Sequence, residues 1–163
     1  KRVYESAVSY ARTFSTASES LLFMGATGLG KTLLSGCIAR AVADRGYAVC
    51  YVSAGKLFSD FETEKFRLKE DGALTGEYLQ TDLLIIDDLG TEMTTQFTVS
   101  ALYQIVNGRL LAAKPTIVST NLPDTELEAR YSAQIASRLL GAYTLYQFCG
   151  TDVRLLRKME SRG

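Results

Sequence analysis

The stretch "LLFMGATGLGKTLLSG", Leu21–Gly36, decides how the rest of this chain is read. Four apolar residues run into a loop holding Gly25, Gly28 and Gly30, and Lys31 and Thr32 follow at once. One glycine would satisfy a tight turn. Three of them, closed by a lysine, imply a ligand that the backbone must approach without a Cβ in the way.

The segment Gly25-Ala26-Thr27-Gly28-Leu29-Gly30-Lys31-Thr32 fits G-x-x-x-x-G-K-[ST], the Walker A phosphate loop. In such a loop the backbone N–H groups point inward as an anion nest, at the positive N-terminus of the helix that follows. Lys31 is expected to bring its charge to the β- and γ-phosphates of a nucleotide, and the Thr32 hydroxyl to ligate Mg²⁺. Leu33, next in line, is counted with the nucleotide-binding residues.

Outward from this loop the pattern alternates strand and helix. "LLFM" (21–24) reads as a short buried strand, and residues 31–44 carry Leu34, Ile38, Ala41 and Val42 on one helix face, with Gly46 as a stop. "AVCYVS" (48–53), "LLIID" (83–87), "PTIVST" (115–120) and "TLYQF" (144–148) read as further strands. A helix over 96–112 places Phe97, Ala101, Leu102, Ile105 and Val106 inward. Region 54–80 predicts one or two amphipathic helices on the sheet edge, ending near Gly72, with Leu57, Phe58, Phe61 and Phe66 among charges. Alternation of this kind predicts a parallel α/β sheet.

A second motif supports the first. "Leu83-Leu84-Ile85-Ile86-Asp87-Asp88" is an apolar strand ending in two carboxylates, the Walker B pattern. Alone it is a strand followed by a turn; beside a Walker A loop it delivers Asp87 to the ligand end of the sheet. Asp87 is then expected in the Mg²⁺ shell, and Asp88 as the group that orients the attacking water and accepts its proton.

Composition narrows the class. The 163 residues suit a single domain, 1–163, with a proper core, and no apolar run approaches the length of a membrane span. The opening "KRVYESAVSY" alternates polar and apolar residues and lacks a signal-peptide core. Eighteen basic residues balance eighteen acidic ones, so any contact with nucleic acid must be local. The three cysteines, Cys37, Cys50 and Cys149, form no metal or disulfide spacing and read as small buried apolar residues of a reducing, cytoplasmic compartment. The absence of histidine excludes imidazole bases and His-ligated metals from the chain.

Taken in order, "GATGLGKT", "LLIIDDLGTE", "IVSTN", "SRL" and "GTDVR" resemble the AAA+ ATPase domain of the DnaC/DnaI helicase loaders and the related IstB transposition proteins, from about Val3 to Arg157. The resemblance implies a P-loop NTPase fold, three αβα layers around a mostly parallel five-stranded sheet. It implies Asn121 as the sensor 1 amide, Arg138 as an arginine finger reaching a neighbouring subunit's nucleotide, and Arg154 as a sensor 2 arginine. On the residues alone, Asn121 is also a good turn former and Arg138 an ordinary solvated arginine. Most AAA+ enzymes carry Glu at the position of Asp88; the loader relatives share Asp, which implies slow, switch-like hydrolysis. A chain that begins at Lys1 is expected to be cut from something longer, without the partner-binding region of its relatives. With nine residues after Arg154, no substantial C-terminal lid is expected.

The leading expectation is a helicase loader that binds ATP–Mg²⁺, self-associates through Arg138 and places a replicative helicase on single-stranded DNA. Local support for DNA is thin: Lys65, Arg67 and Lys69, then Arg154, Arg157, Lys158 and Arg162, both of which also read as solvated faces. The alternatives are a transposition helper with a transposase partner, a small-molecule P-loop kinase, and a scaffold that binds ATP without turnover. Against the kinase, nothing resembles an arginine-rich lid, and Asp88 with Asn121 suits activation of water.

Overall fold

The computed structural model describes residues 2–66 and 73–150. Five strands form one sheet in the order β2-β3-β4-β1-β5: β1 (Leu21–Met24), β2 (Val49–Ser53), β3 (Leu83–Leu89), β4 (Thr116–Thr120) and β5 (Thr144–Gln147). Every pairing is parallel, including β5 against β1 with Leu21 opposite Thr144. The sheet is therefore wholly parallel, where a mostly parallel one was expected.

A parallel sheet needs crossovers, and the helices supply them on both faces. On one face α1 (Arg2–Thr13) and α2 (Lys31–Ala43) cover Leu21, Phe23, Leu83, Ile85 and Ile117. On the other, α3 (Ala54–Phe66), α4 (Ala73–Gln80), α5 (Gln96–Leu111), α6 (Asp124–Tyr131) and α7 (Ala133–Ala142) enclose Leu22, Leu84, Ile86 and Val118. Adjacent residues of β1, and of β3 from Leu83 to Ile86, thus enter opposite cores, which is why both stretches are apolar throughout.

Sequence expectation and structure agree closely along the crossovers, except at the cysteines: Cys37 on α2 and Cys149 after β5 are exposed and Cys50 on the edge strand β2 is half-buried, where buried side chains were expected. Ile38 and Val42 of α2 are buried, and Gly46, at φ 89°, ends the helix with its N–H bonded to the Ala43 carbonyl at 2.8 Å. Region 54–80 holds two helices, the second running to Gln80 rather than ending near Gly72; Gly72 lies outside the described residues. Leu57, Phe58 and Phe61 enter the core. Residues 2–13 form a helix that the opening alternation did not announce, and Ala7, Tyr10, Ala11 and Phe14 make its buried stripe at i, i+3, i+4 and i+7. α5 opens on a capping box, Thr98 N–H to Thr95 Oγ1 at 3.2 Å and Thr95 N–H to Thr98 Oγ1 at 2.8 Å.

Arg109 brings a charge into this frame. Arg109, on the inner face of α5, is fully buried. Its guanidinium donates to Thr116 Oγ1 at 2.8 Å and to the carbonyls of Tyr78 (2.9 Å), Leu79 (3.2 Å), Thr81 (3.0 Å) and Pro115 (2.6 Å). The first two of these carbonyls belong to the last turn of α4, where the helix leaves acceptors unpaired and its dipole favours a cation. Burial pulls the guanidinium down to about 10, with nearby Tyr143, Cys50 and Asp82 opposing that shift. Arg109 ties α4, α5 and the start of β4 together. Replacing it by Met leaves several buried carbonyls without a donor, each costing about 1–3 kcal/mol. Urea unfolding of Arg109→Met is expected to show a loss of at least about 2 kcal/mol.

Candidate nucleotide site

The C-terminal ends of the parallel strands deliver the site, as an open α/β sheet requires. β1 ends at Met24 and releases the loop Gly25–Gly30; β3 carries Asp87 and Asp88; β4 hands over to Asn121. Gly28 and Gly30 hold φ of 84° and 92°, a left-handed backbone that only glycine adopts without strain. Gly25, at φ 149°, is needed for space as well: a Cβ there would stand 2.4 Å from the Phe148 carbonyl oxygen. Gly30 is the N-cap of α2 and carries no side chain to satisfy the first-turn N–H groups, which face the loop as donors for an anion.

Lys31 is 5% exposed, and its ammonium donates to the carbonyl oxygens of Gly25 (2.5 Å) and Ala26 (2.8 Å). The loop thus wraps around its own lysine. Burial lowers the Lys31 pKa, while the charges of Asp88 and Asp87 oppose that fall. Both carboxylates therefore lie within electrostatic reach of the ammonium.

Asp87 is 5% exposed and bound on every side by hydroxyls. Ser119 of β4 donates to Oδ1, Thr32 Oγ1 stands 3.3 Å from the same oxygen, and Tyr51 of β2 donates to Oδ2 at 2.7 Å. The Tyr51 phenol pKa is raised by burial and then by this bond to Asp87. Thr32 and Asp87 together present adjacent hard oxygen donors, which suit Mg²⁺. Among the described residues no group of three or more His, Cys, Asp and Glu side chains could hold a metal alone. Phosphate and water would have to complete the shell, as Mg²⁺ usually requires.

Asp88 differs sharply from its neighbour. It is exposed, sits at φ 56°, and coincides with a register break between Ile86 and Leu89 against β4. A bulge re-aims a side chain and stores backbone strain, a combination typical of functional positions. The bulge is held by Ser119, whose Oγ accepts the Asp88 N–H at 3.0 Å while its hydroxyl serves Asp87. Downstream, Gly90 at φ 108° has no room for a Cβ beside Leu122, and its N–H bonds Glu92 Oε2 at 3.0 Å. Tyr131 donates to the other oxygen of Glu92, and Arg130 to its backbone carbonyl. "LGTE" thus closes the loop after Asp88 against α6.

Two clefts open from the phosphate loop. One, of about 400 Å³, is bordered by Gly25, Ala26 and Asn121, so the exposed amide of Asn121 is brought to the loop. The other, about 640 Å³ and largely apolar, is lined by Tyr4, Leu29, Leu33, Cys37 and Phe148. Leu33, 65% exposed, forms part of that wall. Arg138 is not brought to these residues. It lies half-buried against α5, donating to Asn107 Oδ1 (2.9 Å) and the Tyr103 hydroxyl (3.1 Å), with its guanidinium 4.8 Å from the Tyr103 ring centre. Arg154 lies outside the described residues, as do Arg67, Lys69, Arg157, Lys158 and Arg162.

Helices on both faces of a parallel sheet, with a glycine loop at the strand ends and a buried carboxylate beside it, define a P-loop nucleotide-binding domain of the AAA+ class. The chain belongs to the IstB-like ATP binding protein family, whose profile matches residues 6–146. An ATP-binding protein of an insertion sequence in Mycobacterium tuberculosis is 30% identical over 105 residues, covering 64% of this chain and 41% of that protein. The replicative helicase loader DnaC of Escherichia coli is 25% identical over 132 residues, covering 80% and 54% respectively. The chain spans about half the length of these curated relatives. In fold it is similar to a crystal structure of the DnaC helicase loader, with a TM-score of 0.80 at 21% identity over 91% of this chain and 89% of that one. It is also similar to the replication initiator DnaA bound to AMPPCP and single-stranded DNA, with a TM-score of 0.79 at 23% identity over 99% and 51%.

Three contributors escaped the sequence reading: Ser119, Tyr51 and Glu92. Ser119 had a signal, a hydroxyl in an otherwise apolar strand within "IVSTN". Ser119→Ala removes one donor from Asp87 and the acceptor of the Asp88 N–H. The variant is expected to lose about 1–3 kcal/mol of stability by urea unfolding.

Proposed function

We propose that this chain is the ATPase part of a DnaC-like replicative helicase loader, in which ATP–Mg²⁺ binding favours one assembly and hydrolysis ends it. The observation that carries the ATPase reading is the contrast between two adjacent carboxylates. Asp87 is buried and saturated by hydroxyls, while Asp88 is exposed on a strained bulge. One is built to hold, the other to react.

In this reading the Lys31 ammonium leaves the Gly25 and Ala26 carbonyls and bonds to phosphate oxygens instead. The N–H groups of the loop and of the first turn of α2 orient the phosphates. Thr32 and Asp87 would hold Mg²⁺, which neutralises charge on the phosphate oxygens when bound. Asp88 accepts the proton of the attacking water, and Asn121 helps to align that water. The apolar cavity beside Leu33 accommodates the base. Asp in place of the longer Glu suits slow turnover of a switch. Arg138 would complete a neighbouring subunit's site and Arg154 the site of its own chain.

The loader reading is supported by the extent of the DnaC match, in sequence and in fold. Its partners would be a replicative helicase and single-stranded DNA, and its place the cytoplasm; among the described residues no helix is long and apolar enough to cross a membrane. The second reading, a helper ATPase with a transposase partner, is favoured by the insertion-sequence relative and by the family itself. Membership of that family argues against a small-molecule kinase.

Lys31→Ala is expected to weaken ATP binding by about 30-fold or more in a fluorescent-nucleotide titration. Asp88→Asn should retain binding and lose roughly 10²–10⁴ in turnover; equal, negligible rates in parent and variant would point to a scaffold. Arg138→Ala should lose turnover only in the assembled state, and normal rates there would remove the finger assignment. Native mass spectrometry of the full-length protein with its organism's replicative helicase and ATP–Mg²⁺ tests the partner. A nucleotide-sensitive complex supports the loader; its absence, with both proteins folded and ATP bound, favours the transposase.

A further inference from the structure

Of the three hydroxyls on Asp87, that of Tyr51 comes from a different kind of place. Thr32 belongs to the phosphate loop and helix, and Ser119 to a central strand, whereas β2 is the edge of the sheet and Tyr51 is 41% exposed. Tyr51 stands opposite Ile85 in the register, and Ser53 opposite Asp87. Its side chain must therefore lean two residues forward along the strand to bring its hydroxyl 2.7 Å from Asp87 Oδ2. Ile85 and Asp87 share the face covered by α2, and Val49, two residues before Tyr51, packs on that same face. The phenol thus closes the outer side of the carboxylate, on the face where Thr32 approaches from within.

The division of labour between the oxygens follows. Oδ1 takes Ser119 and faces Thr32 at 3.3 Å; Oδ2 takes Tyr51. With both ends pinned by groups from different strands, the carboxylate plane is fixed. A carboxylate held only at Oδ1 could still turn about χ2. We propose that Tyr51 is a positioning residue for the divalent cation: its phenol fixes the Asp87 carboxylate so that Oδ1 faces the metal position beside Thr32. The proposal rests on the reading that Thr32 and Asp87 hold Mg²⁺. It assigns to the edge strand a control over metal affinity that is separate from nucleotide affinity. Outer partners of this type typically change metal affinity by about 10–100-fold when removed.

Tyr51→Phe keeps the ring, the exposed position and the strand, and removes only the O–H. Mn²⁺ serves as the probe, with free and bound ion distinguished by electron paramagnetic resonance in the presence of a non-hydrolysable ATP analogue. Nucleotide affinity is measured separately in EDTA. The expected result is a Mn²⁺ affinity about tenfold weaker in Tyr51→Phe, with metal-free nucleotide affinity within about twofold of the parent. Unchanged Mn²⁺ affinity overturns the proposal. So does a parallel loss of metal-free nucleotide affinity, which would mark Tyr51 as merely structural. Asp87→Asn separates this failure from failure of the underlying reading. If Asp87→Asn loses the ion and Tyr51→Phe does not, only the role of Tyr51 falls. If Asp87→Asn also keeps it, the metal site is elsewhere and both fall.

Discussion

A carboxylate cannot remain ionised inside a protein unless something replaces its water. Asp87 meets that requirement with hydroxyls from three separate elements, the first turn of α2, the edge strand β2 and the central strand β4. Much of the site follows from this one requirement. Ser119 must sit where it does to reach Asp87, and from there it accepts the N–H of Asp88 and supports the bulge. Thr32 must follow Lys31, which brings the ammonium back over the Gly25 and Ala26 carbonyls. The loop, the bulge and the sheet edge are thereby referred to a single buried group. Motion of a phosphate or a metal at that group can be felt in all of them.

In the function proposed for this chain, the arrangement would serve a switch rather than a fast enzyme. The Lys31 ammonium is held by two carbonyls of its own loop, and a phosphate bound there would have to compete with both. Such competition lowers affinity and makes occupancy sensitive to anything that stabilises the bound state, including a partner. Arg138 shows the same economy of contact. Its guanidinium is satisfied within the chain by Asn107 and Tyr103, so it gains by moving only if a better acceptor is presented.

Much of this was legible in the residues. The strand–loop–helix around Gly25–Thr32 and the apolar strand ending in Asp87 were read directly, because glycine spacing and a doubly covered strand leave few alternatives. Four kinds of feature were not. The helix over residues 2–13 was hidden by an even mix of polar and apolar residues, although Ala7, Tyr10, Ala11 and Phe14 carry the helical period. Arg109 reads in sequence as the basic end of an amphipathic helix, and only the tertiary fold turns it inward to the carbonyls at the end of α4. The bulge at Asp88 depends on register against β4, which no local pattern specifies. Tyr51 depends on which strand is the edge and which lies next to β3, a matter of sheet order rather than of sequence neighbours.

If the loop is a phosphate cradle latched by its own lysine, with Asp87 fixed beside it, nucleotide binding must release that latch. A crystal structure of this chain with Mg²⁺ and a non-hydrolysable ATP analogue tests it most directly. Lys31 Nζ is expected to be released from the Gly25 and Ala26 carbonyls and bonded to phosphate oxygens, with Asp87 still held by Ser119. An analogue bound elsewhere, with Lys31 unmoved on those two carbonyls, would contradict it.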